Sequence, residues 1–504
     1  MKMDKPRTIA IAAIALAAMP VLSSAQNEET ERHNRFPRYR LIDVGTFGGP
    51  TSYASADFIG ARTLNNREIA TGTADTSAPD PTCFNVDCFV SHVFRWQDGK
   101  VTDLGALPGG NNSAATEINE RGEIVGLSSN GKIDPSTGLP EGHAVLWRDR
   151  QVTDLGTLGG SPSAATGIND RGLVVGFSAN TVPDPFSMFG FGTQTRTFVW
   201  KNGVMRDIGT LGGPDATPFG HNNRGQVSGS SYTDDIANPD TGQPTVHPFL
   251  WEDGKMTDLG SLGGTLAYGE GVNERGQVIG LSSLKGNLIF HPFLWECGVM
   301  KDLGTLGGDN GDVSWINDAG QIVGYADLPG SQTHDAFLWE RGVMTDLGNF
   351  GQTSRAFAIN SRGQVVGHSL TNDGTFHAFL WQKGAPMIDL NIFIPEGSSL
   401  GLLTDAMNIN DRGEIMGLGF PPGVPTDNTD VGGHVFLLVP CHDESESCRD
   451  AGTGRVARIS VGPAEAPRSR PGDAREDRWP SPVERLLNRM RGNQRPFKHA
   501  NPHF

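Results

Sequence analysis

Short apolar runs alternate with polar turns along this chain, and the pattern returns at intervals of about 44 residues. Within Thr265–Leu303 the apolar positions predict four strands, namely Leu266–Val272, Gln277–Ser282, His291–Trp295 and Val299–Leu303. The polar segments Asn273–Gly276 and Glu296–Gly298 predict tight turns, because Asn can bond its own backbone and Gly tolerates positive φ. Strands joined by such short turns must be antiparallel.

The repeated unit predicts the fold class. The sequence Asp-Leu-Gly-Thr-Leu-Gly-Gly at Asp154–Gly160 recurs in varied form, which gives eight copies beginning at Asp43, Asp103, Asp154, Asp207, Asp258, Asp302, Asp346 and Asp389. The third strand of each unit is apolar on both faces, so neighbouring copies must cover it. Four antiparallel strands at this period describe a propeller blade. We therefore predict an all-β, eight-bladed β-propeller. The alternative, a parallel β-helix, has much shorter coils and needs no hairpins.

The two ends of the repeat array are complementary. Arg40–Val44 is a fourth strand with no blade before it, and the last copy, Leu400–Val439, has three strands and no fourth. Pairing the two segments would close the ring and remove two open sheet edges. We predict that the N-terminal strand completes the last blade.

The recurring sequences resemble the HAF repeat, which takes its name from a His-Ala-Phe triplet and defines a family of bacterial extracellular repeat proteins. The triplet is intact at His377–Phe379 and altered at His143–Val145, His247–Phe249 and His291–Phe293. The resemblance covers roughly residues 40–440. It implies export and a repeated β architecture, and it brings no activity, substrate or catalytic residue.

Both ends of the chain differ in character from the repeats. Lys2, Lys5 and Arg7 precede a mostly apolar run, and Ser23 and Ala25 give a small-x-small cleavage pattern. We interpret residues 1–25 as a signal peptide, 26–38 as a linker, 39–440 as the propeller and 441–504 as a mostly disordered tail. The mature protein is expected in the periplasm or outside the cell, as a monomer without a membrane span.

Charge and cysteine content narrow the partners further. The formal net charge is −16, which argues against a nucleic-acid partner. In an oxidising compartment the cysteines predict two local disulfides, Cys83 with Cys88 and Cys441 with Cys448, and leave Cys297 as a lone thiol. Metal ligation by these pairs is the alternative, although they lack paired C-x-x-C spacing.

Residues that recur in every copy are interpreted as structural. The His at the head of the third strand is expected to bond a neighbouring strand or turn. The Asp of Asp-Leu-Gly is expected to accept backbone N–H bonds, and the Trp that ends the third strand to join blades. We predict no metal and no cofactor. A calcium loop at Asp309–Asp312 is the one alternative.

Function is expected where the copies differ. The connections between second and third strands are long in the first four copies, at Ala74–Val90, Ser129–Gly142, Ala179–Arg196 and Ser231–Val246. They would form one elaborated rim. The candidate ligand-binding residues on this rim are Phe186, Met188, Phe189, Phe191, Asp134 and Asp240. Folding of the aromatic residues into a satellite cluster is the alternative.

Two functions remain open from the sequence. The first is a non-enzymatic protein that binds a protein or carbohydrate ligand through the long-loop rim. The second is an enzyme that degrades polysaccharides or esters, with a site at the channel mouth. The first strands break their pattern at Glu117, His221, Glu270 and Trp315. Catalytic residues stay unassigned, because no known catalytic motif is present.

Overall fold

The computed structural model describes residues 38–54, 61–81, 87–134, 140–239, 241–426 and 431–441. Within these residues the protein is all-β apart from one short 3-10 helix, Leu390–Phe393, and the compact unit begins at Tyr39. The predicted signal peptide (1–25), nearly all of the linker (26–38) and the tail beyond residue 441 lie outside the described residues. No described helix could cross a membrane.

The first four blades each hold four antiparallel strands that follow one another in the sheet. Their strands are β2 (Gly48–Tyr53), β3 (Ala70–Pro79), β4 (Phe89–Gln97), β5 (Lys100–Asp103); β6 (Ser113–Ile118), β7 (Ile124–Ile133), β8 (Pro140–Arg148), β9 (Gln151–Gly156); β10 (Ser163–Ile168), β11 (Val174–Pro183), β12 (Thr193–Lys201), β13 (Val204–Asp207); β14 (Ala216–His221), β15 (Val227–Tyr232), β16 (Val246–Glu252), β17 (Lys255–Asp258).

The last four blades continue the pattern, and the eighth takes its outer strand from the start of the propeller. Their strands are β18 (Gly263–Val272), β19 (Val278–Leu284), β20 (Phe290–Glu296), β21 (Val299–Asp302); β22 (Gly311–Ile316), β23 (Ile322–Asp327), β24 (His334–Glu340), β25 (Val343–Asp346); β26 (Gly351–Ile359), β27 (Val365–Thr371), β28 (Phe376–Trp381), β29 (Ile388–Asp389); β30 (Leu402–Ile409), β31 (Ile415–Phe420), β32 (His434–Pro440) and β1 (Tyr39–Asp43). A single parallel bridge, Val246 to Leu266, links the fourth and fifth blades.

Closure of the ring is confirmed. Strand β1 pairs antiparallel with β32, with Tyr39 opposite Pro440 and Asp43 opposite Phe436. The first and eighth blades also share a core cluster in which Ala70 and Trp96 meet Met416 and Leu437. This interface resembles the clusters between other neighbouring blades, so the seam is packed like the rest of the ring.

A ring of hydrogen bonds joins all eight blades at the turn between first and second strands. One Asn in each turn donates its side-chain Nδ2 to the backbone carbonyl of the equivalent Asn in the next blade, at 2.9–3.1 Å. The residues of this Asn ring are Asn65, Asn119, Asn169, Asn222, Asn273, Asn317, Asn360 and Asn410. Each Oδ1 accepts backbone N–H groups two and four residues later, as at Asn410 from Arg412 and Glu414.

The core lies between the blades, as the apolar third strands require. Between the second and third blades, Val125 and Leu146 pack against Val174, Phe198 and Trp200. The Trp that ends the third strand enters such clusters, which confirms its predicted role. A glycine on the second strand leaves space for the Phe ring of the third strand. A Cβ on Gly280, for example, would lie 2.8 Å from the Phe293 ring.

The recurring His and Asp residues are structural, as predicted. The His at the head of the third strand contacts the Asp at the end of the fourth in six blades, at 2.7–3.1 Å, and Arg196 replaces the His in the third blade. Each of these Asp residues also accepts a backbone N–H two residues later, which shapes the crossover to the next blade. Gly105 donates to Asp103 at 2.7 Å, for instance.

The long connections are in large part strand rather than loop. In the second blade, Ser129 pairs with Gly142 and Ile133 with Pro140. In the third, Pro183 pairs with Thr193. These connections lie beside the Leu-Gly-Gly crossovers, since Gly160 N donates to Ala179 O at 3.2 Å.

Three of the five cysteines lie among the described residues. Cys297 is an exposed free thiol. Cys88 and Cys441 are engaged in disulfides. Their expected partners, Cys83 and Cys448, lie outside the described residues, so the two pairings stay predictions.

Candidate functional site

A cavity of about 330 Å³ occupies the channel at the end that carries the Asn ring. Its wall is built from the last residues of the first strands and from the turns that follow them. This volume falls at the lower end of the range for small-molecule sites. The four positions at which the sequence pattern breaks, Glu117, His221, Glu270 and Trp315, all line it.

A β-bulge in the first strand of seven blades aims side chains at this cavity. The pairing register slips by one residue before the end of the strand, as between Ala115 and Glu117 and between Gly269 and Gly271. The extra residue in the fifth blade is Glu270. Bulges bend a strand and redirect its side chains, and they are frequent beside active sites. In the first blade, β2 ends at Tyr53, and Arg62, which precedes the turn at Asn65, enters the cavity wall.

Glu117 and His221 meet although their blades are not neighbours. His221 Nε2 lies 2.7 Å from Glu117 Oε2, which also accepts the backbone N–H of Ile168 at 3.3 Å. The contact passes over the third blade at Gly167. A Cβ on Gly167 would lie 2.3 Å from His221 Cδ2 and 2.7 Å from Glu117 Oε2. The absence of a side chain at Gly167 therefore makes the pair possible.

The contact with His221 uses only one oxygen of the Glu117 carboxylate. Glu117 is 4% exposed, and its Oε1 makes no hydrogen bond to any residue that the structure describes. His221 holds the carboxylate through Oε2 and fixes its orientation. Glu117 is thus a positioned carboxylate in the wall of the cavity.

Glu270 is a second carboxylate in the same wall, in a different environment. It is 9% exposed, and its Oε2 is buried without a hydrogen-bond partner among the described residues. Burial raises the pKa of Glu270 well above its ordinary value. The nearby Asp312 carboxylate raises this pKa further, and Arg355 opposes the shift. The environment of Glu270 therefore favours its protonated form more than that of an ordinary Glu.

Behind Glu270 lies a group of charged and aromatic residues that sequence reasoning missed. Arg355 Nη2 lies 3.7 Å from Asp312 Oδ2, and its guanidinium stacks over Tyr325 at 4.8 Å. Arg355 Nε is buried without a partner among the described residues. The sequence did contain a signal for this group. Asp312 and Arg355 stand in the sixth and seventh blades at the first-strand position that Ala114 and Ala164 occupy in the second and third blades.

Aromatic and hydroxyl groups complete the wall. Phe219 and Trp315 are half-buried and line the cavity. Flat aromatic faces of this kind suit the apolar faces of sugar rings. Ser314 also lines the cavity, and its Oγ has no hydrogen-bond partner in the described part of the chain. A serine nucleophile needs an adjacent base within hydrogen-bond reach, so Ser314 is not activated in this arrangement.

The predicted rim site is not a binding surface of exposed aromatic residues. Phe189 is 2% exposed and packs on Phe177 and Phe191, with ring centroids 4.7 and 5.7 Å apart. Ala164 and Leu127 complete this satellite cluster. The aromatic segment folds down because burial of its rings removes apolar area from water.

The other rim candidates are equally committed to the fold or are not described. Phe186 and Met188 are half-buried. Met188 N donates to Asp215 Oδ2 at 2.6 Å, and Phe186 O accepts from Tyr232 Oη at 3.0 Å. Asp134 is half-buried at the edge of an undescribed segment. Asp240 lies outside the described residues.

No calcium loop forms at Asp309–Asp312. Asn310 Oδ1 accepts the backbone N–H of Phe290 at 3.0 Å, and Asp312 faces Arg355. Across the described residues, no group of three or more His, Cys, Asp or Glu side chains converges on a site for a metal ion.

No protein-family model matches this sequence, and no curated protein matches it. Among solved structures the chain is similar to the β-propeller domain of the Trilobed protease from Pyrococcus furiosus. The identity is 10% and the TM-score 0.38, with 71% of this chain and 97% of that chain covered.

Two further structures are similar at the same level. Porphyromonas gingivalis dipeptidyl peptidase 4 matches at 11% identity and a TM-score of 0.45, with 76% of this chain and 61% of that chain covered. A puromycin-hydrolysing peptidase from Mycobacterium tuberculosis matches at 13% and 0.40, with 77% and 63% covered. The chain therefore spans less than two thirds of the length of these two peptidases. At such identities the likeness establishes the propeller fold alone.

The first function expected from the sequence, a non-enzymatic binding protein that works through the long-loop rim, is wrong. The aromatic residues of the rim are packed into the protein instead of being presented to a ligand. The polar groups that break the repeat converge in the channel instead.

Proposed function

We propose that this protein is a hydrolase of polysaccharides whose site is the cavity at the Asn-ring end of the channel. The observation that carries the proposal is Glu270. It is a buried carboxyl with an unpartnered oxygen and a raised pKa, and it lines the same cavity as the hydrogen-bonded Glu117. Two carboxyl groups in unlike environments are one requirement for glycosidic bond hydrolysis.

The proposed roles follow from the two environments. Glu270, protonated, donates its proton to the glycosidic oxygen as the bond from that oxygen to the anomeric carbon breaks. Glu117, which His221 holds in place, takes a proton from the water whose oxygen bonds to the anomeric carbon. The products are two shorter sugars, and the proton moves back from Glu117 to Glu270 through solvent. His221 is a positioning residue, because it acts through the Glu117 carboxylate.

Ester hydrolysis, the other chemistry considered for a channel-mouth enzyme, has less support. The lining serine, Ser314, has no base beside it, whereas the carboxyl pair and the aromatic faces of Phe219 and Trp315 suit a sugar substrate. An ester hydrolase would depend on Ser314, and a glycoside hydrolase would not. If the variant Ser314→Ala keeps its activity on polysaccharides, the protein acts as a glycoside hydrolase that does not depend on Ser314.

The test is the release of reducing ends from a panel of polysaccharides by the full chain. We expect Glu270→Gln and Glu117→Gln each to lower kcat by about 10²-fold or more, which is the usual contribution of a positioned acid or base. Glu396→Gln is the matched control, since Glu396 is exposed and outside the cavity. Unfolding midpoints verify that all variants are folded. Full activity of Glu270→Gln, or no hydrolysis of any polysaccharide by the wild type, would refute the proposal.

We also propose that the protein is exported as a monomer and that its repeats are of the HAF type. The basic and apolar pattern of residues 1–25 and the His-Ala-Phe triplets support this. N-terminal sequencing of protein recovered from the periplasm and medium should find Gln26 first. Recovery of the chain in the cytoplasm with residues 1–25 intact would contradict it.

A further inference from the structure

The cavity is acidic at its entrance as well as in its wall. The residue that follows each Asn of the Asn ring lies at the cavity opening, and in five blades it is a carboxylate. These five form the mouth ring, which consists of Glu120, Asp170, Glu274, Asp318 and Asp411. Each accepts a backbone N–H from the turn of a neighbouring blade, at 2.8–3.2 Å. The carboxylates are therefore fixed around the opening.

The Arg residues of the same turns are not among the described residues that line the cavity. Arg121 turns to Glu123, and Arg275 lies against Gly320 of the next blade, where a Cβ would approach its Nη2 to 2.2 Å. Arg67 and Arg224 donate Nη1 to the backbone carbonyls of Glu120 and Glu274 in the next blade, at 3.3 and 3.4 Å. Among the described residues that line the cavity, Arg62 is the one Arg or Lys.

A second observation indicates that a polar ligand enters the same cavity. Glu270 is more than nine-tenths buried, lines the cavity and presents an Oε2 without a partner among the described residues. An unsatisfied buried acceptor costs free energy unless a ligand or water pairs with it. Glu270 thus indicates that a ligand enters the cavity, and the acidic entrance indicates its charge: a cationic group with several N–H donors, as in a primary ammonium.

We propose that the substrate of this site is a polysaccharide of amino sugars with free, protonated amino groups. This inference rests on the proposed hydrolase function and specifies its substrate class. The mouth ring concentrates the cationic chain at the opening, because a cleft lined by one sign of charge raises the local concentration of the opposite sign. Glu270 and Glu117 then act on the glycosidic bond inside.

The experiment compares fully deacetylated chitosan oligomers with N-acetylated oligomers of the same length. We expect kcat/KM of the wild type to favour the deacetylated oligomers by about tenfold or more at low salt. The preference should shrink as ionic strength rises and the Debye length falls to about 8 Å at 0.15 M. Equal or better cleavage of the N-acetylated oligomers would overturn the inference.

The variant that tests the mouth ring is Asp170→Asn/Asp318→Asn/Asp411→Asn. Asn is native at this place in two blades, where Asn223 accepts from Asp170 N and Asn66 from Asp411 N at 2.8 Å, so the fold should tolerate it. We expect KM for the deacetylated oligomers to rise about tenfold or more with kcat within about twofold.

The control variant also removes three negative charges, but at residues that do not line the cavity. Asp98→Asn/Asp149→Asn/Asp253→Asn alters three residues at outer hairpins, where Asn202 shows that Asn adopts the same positive φ. This variant should keep the wild-type preference. If both triple variants behave alike, the mouth ring does not select the substrate and the inference fails.

The hydrolase function and the amino-sugar substrate class can be refuted independently. Hydrolysis of neutral polysaccharides that depends on Glu270, without preference for amino sugars, would refute only the substrate class. Absence of hydrolysis on any sugar polymer would refute both. Tight binding of oligolysine without cleavage of amino sugars would also overturn the inference, since the entrance would then serve a basic peptide.

Discussion

Substitution of Gly167 by Ala tests the inner wall of the channel directly. The backbone of Gly167 does not have positive φ, so Ala is compatible with its conformation. The added Cβ would lie 2.3 Å from His221 Cδ2, 2.4 Å from His221 Nε2 and 2.7 Å from Glu117 Oε2. All three distances are well below van der Waals contact, so the imidazole and the carboxylate must separate and their 2.7 Å hydrogen bond must break.

The expected loss follows from two contributions. Overpacking a well-packed interior costs about 1–3 kcal/mol, and a buried polar group left without its partner costs about 1–3 kcal/mol. We therefore expect Gly167→Ala to lower the free energy of unfolding by about 3 kcal/mol. Polysaccharide hydrolysis should fall as well, because Glu117 loses the group that orients it.

Urea unfolding followed by Trp fluorescence measures this loss, with Gly271→Ala as the matched control. Gly271 occupies the same place in the fifth blade. A Cβ there would come no closer than 3.3 Å, to the flexible side chain of Ile279, so the control should lose less than about 1 kcal/mol. If the two variants have equal stability, the contact of Glu117 with His221 across the third blade is refuted.

Three further predictions concern the ring, a buried acid pair and the rim. Asn410→Ala leaves the buried N–H of Glu414 without its acceptor and removes the hydrogen bond to Asn65 O. The free energy of unfolding in urea should therefore fall by about 2–3 kcal/mol, and a fall below about 0.5 kcal/mol would contradict the role of the Asn ring. Burial, and secondarily the Asp184 carboxylate, raises the pKa of Asp215 to about 7. Between its unfolded value near 4 and pH 7 the folded state binds the extra proton, so this group makes stability fall as pH rises through that window. Asp184→Asn should reduce the fall, measured as the difference in thermal midpoint between pH 5 and pH 7.5; an unchanged difference would exclude the acid pair as its cause. Phe189→Ala should cost about 3 kcal/mol in urea unfolding, and a cost under about 1 kcal/mol would mean that the rim cluster is loose.

The period of the sequence was enough to predict the blades, their number and the closure of the ring. The reason is physical, since a third strand that is apolar on both faces, such as Phe293–Trp295, can be covered only by neighbouring copies. Single positions were harder to assign. In the doublets at residues 65–66 and 222–223 the sequence suggests Asn66 and Asn223 as the ends of the first strands. The structure instead places Asn65 and Asn222 in the Asn ring.

The site could be predicted only in part. The breaks in pattern at Glu117, His221, Glu270 and Trp315 identified residues that do share a cavity. Their pairing could not be predicted, because the contact of Glu117 with His221 joins residues 104 positions apart and depends on the missing side chain at Gly167. The rim was misjudged because composition cannot distinguish an exposed aromatic segment from one that folds onto Phe177.

The pairing of Tyr39 with Pro440 has a practical consequence. The first and last residues of the propeller lie side by side on adjacent strands, so a short peptide could join them. New ends could then be opened at any outer hairpin, where the chain is exposed and Asp98 or Asn202 already adopts a turn conformation. Such circular permutants should fold to the same ring, since every seam is held by the same kind of Asn bond and apolar contact.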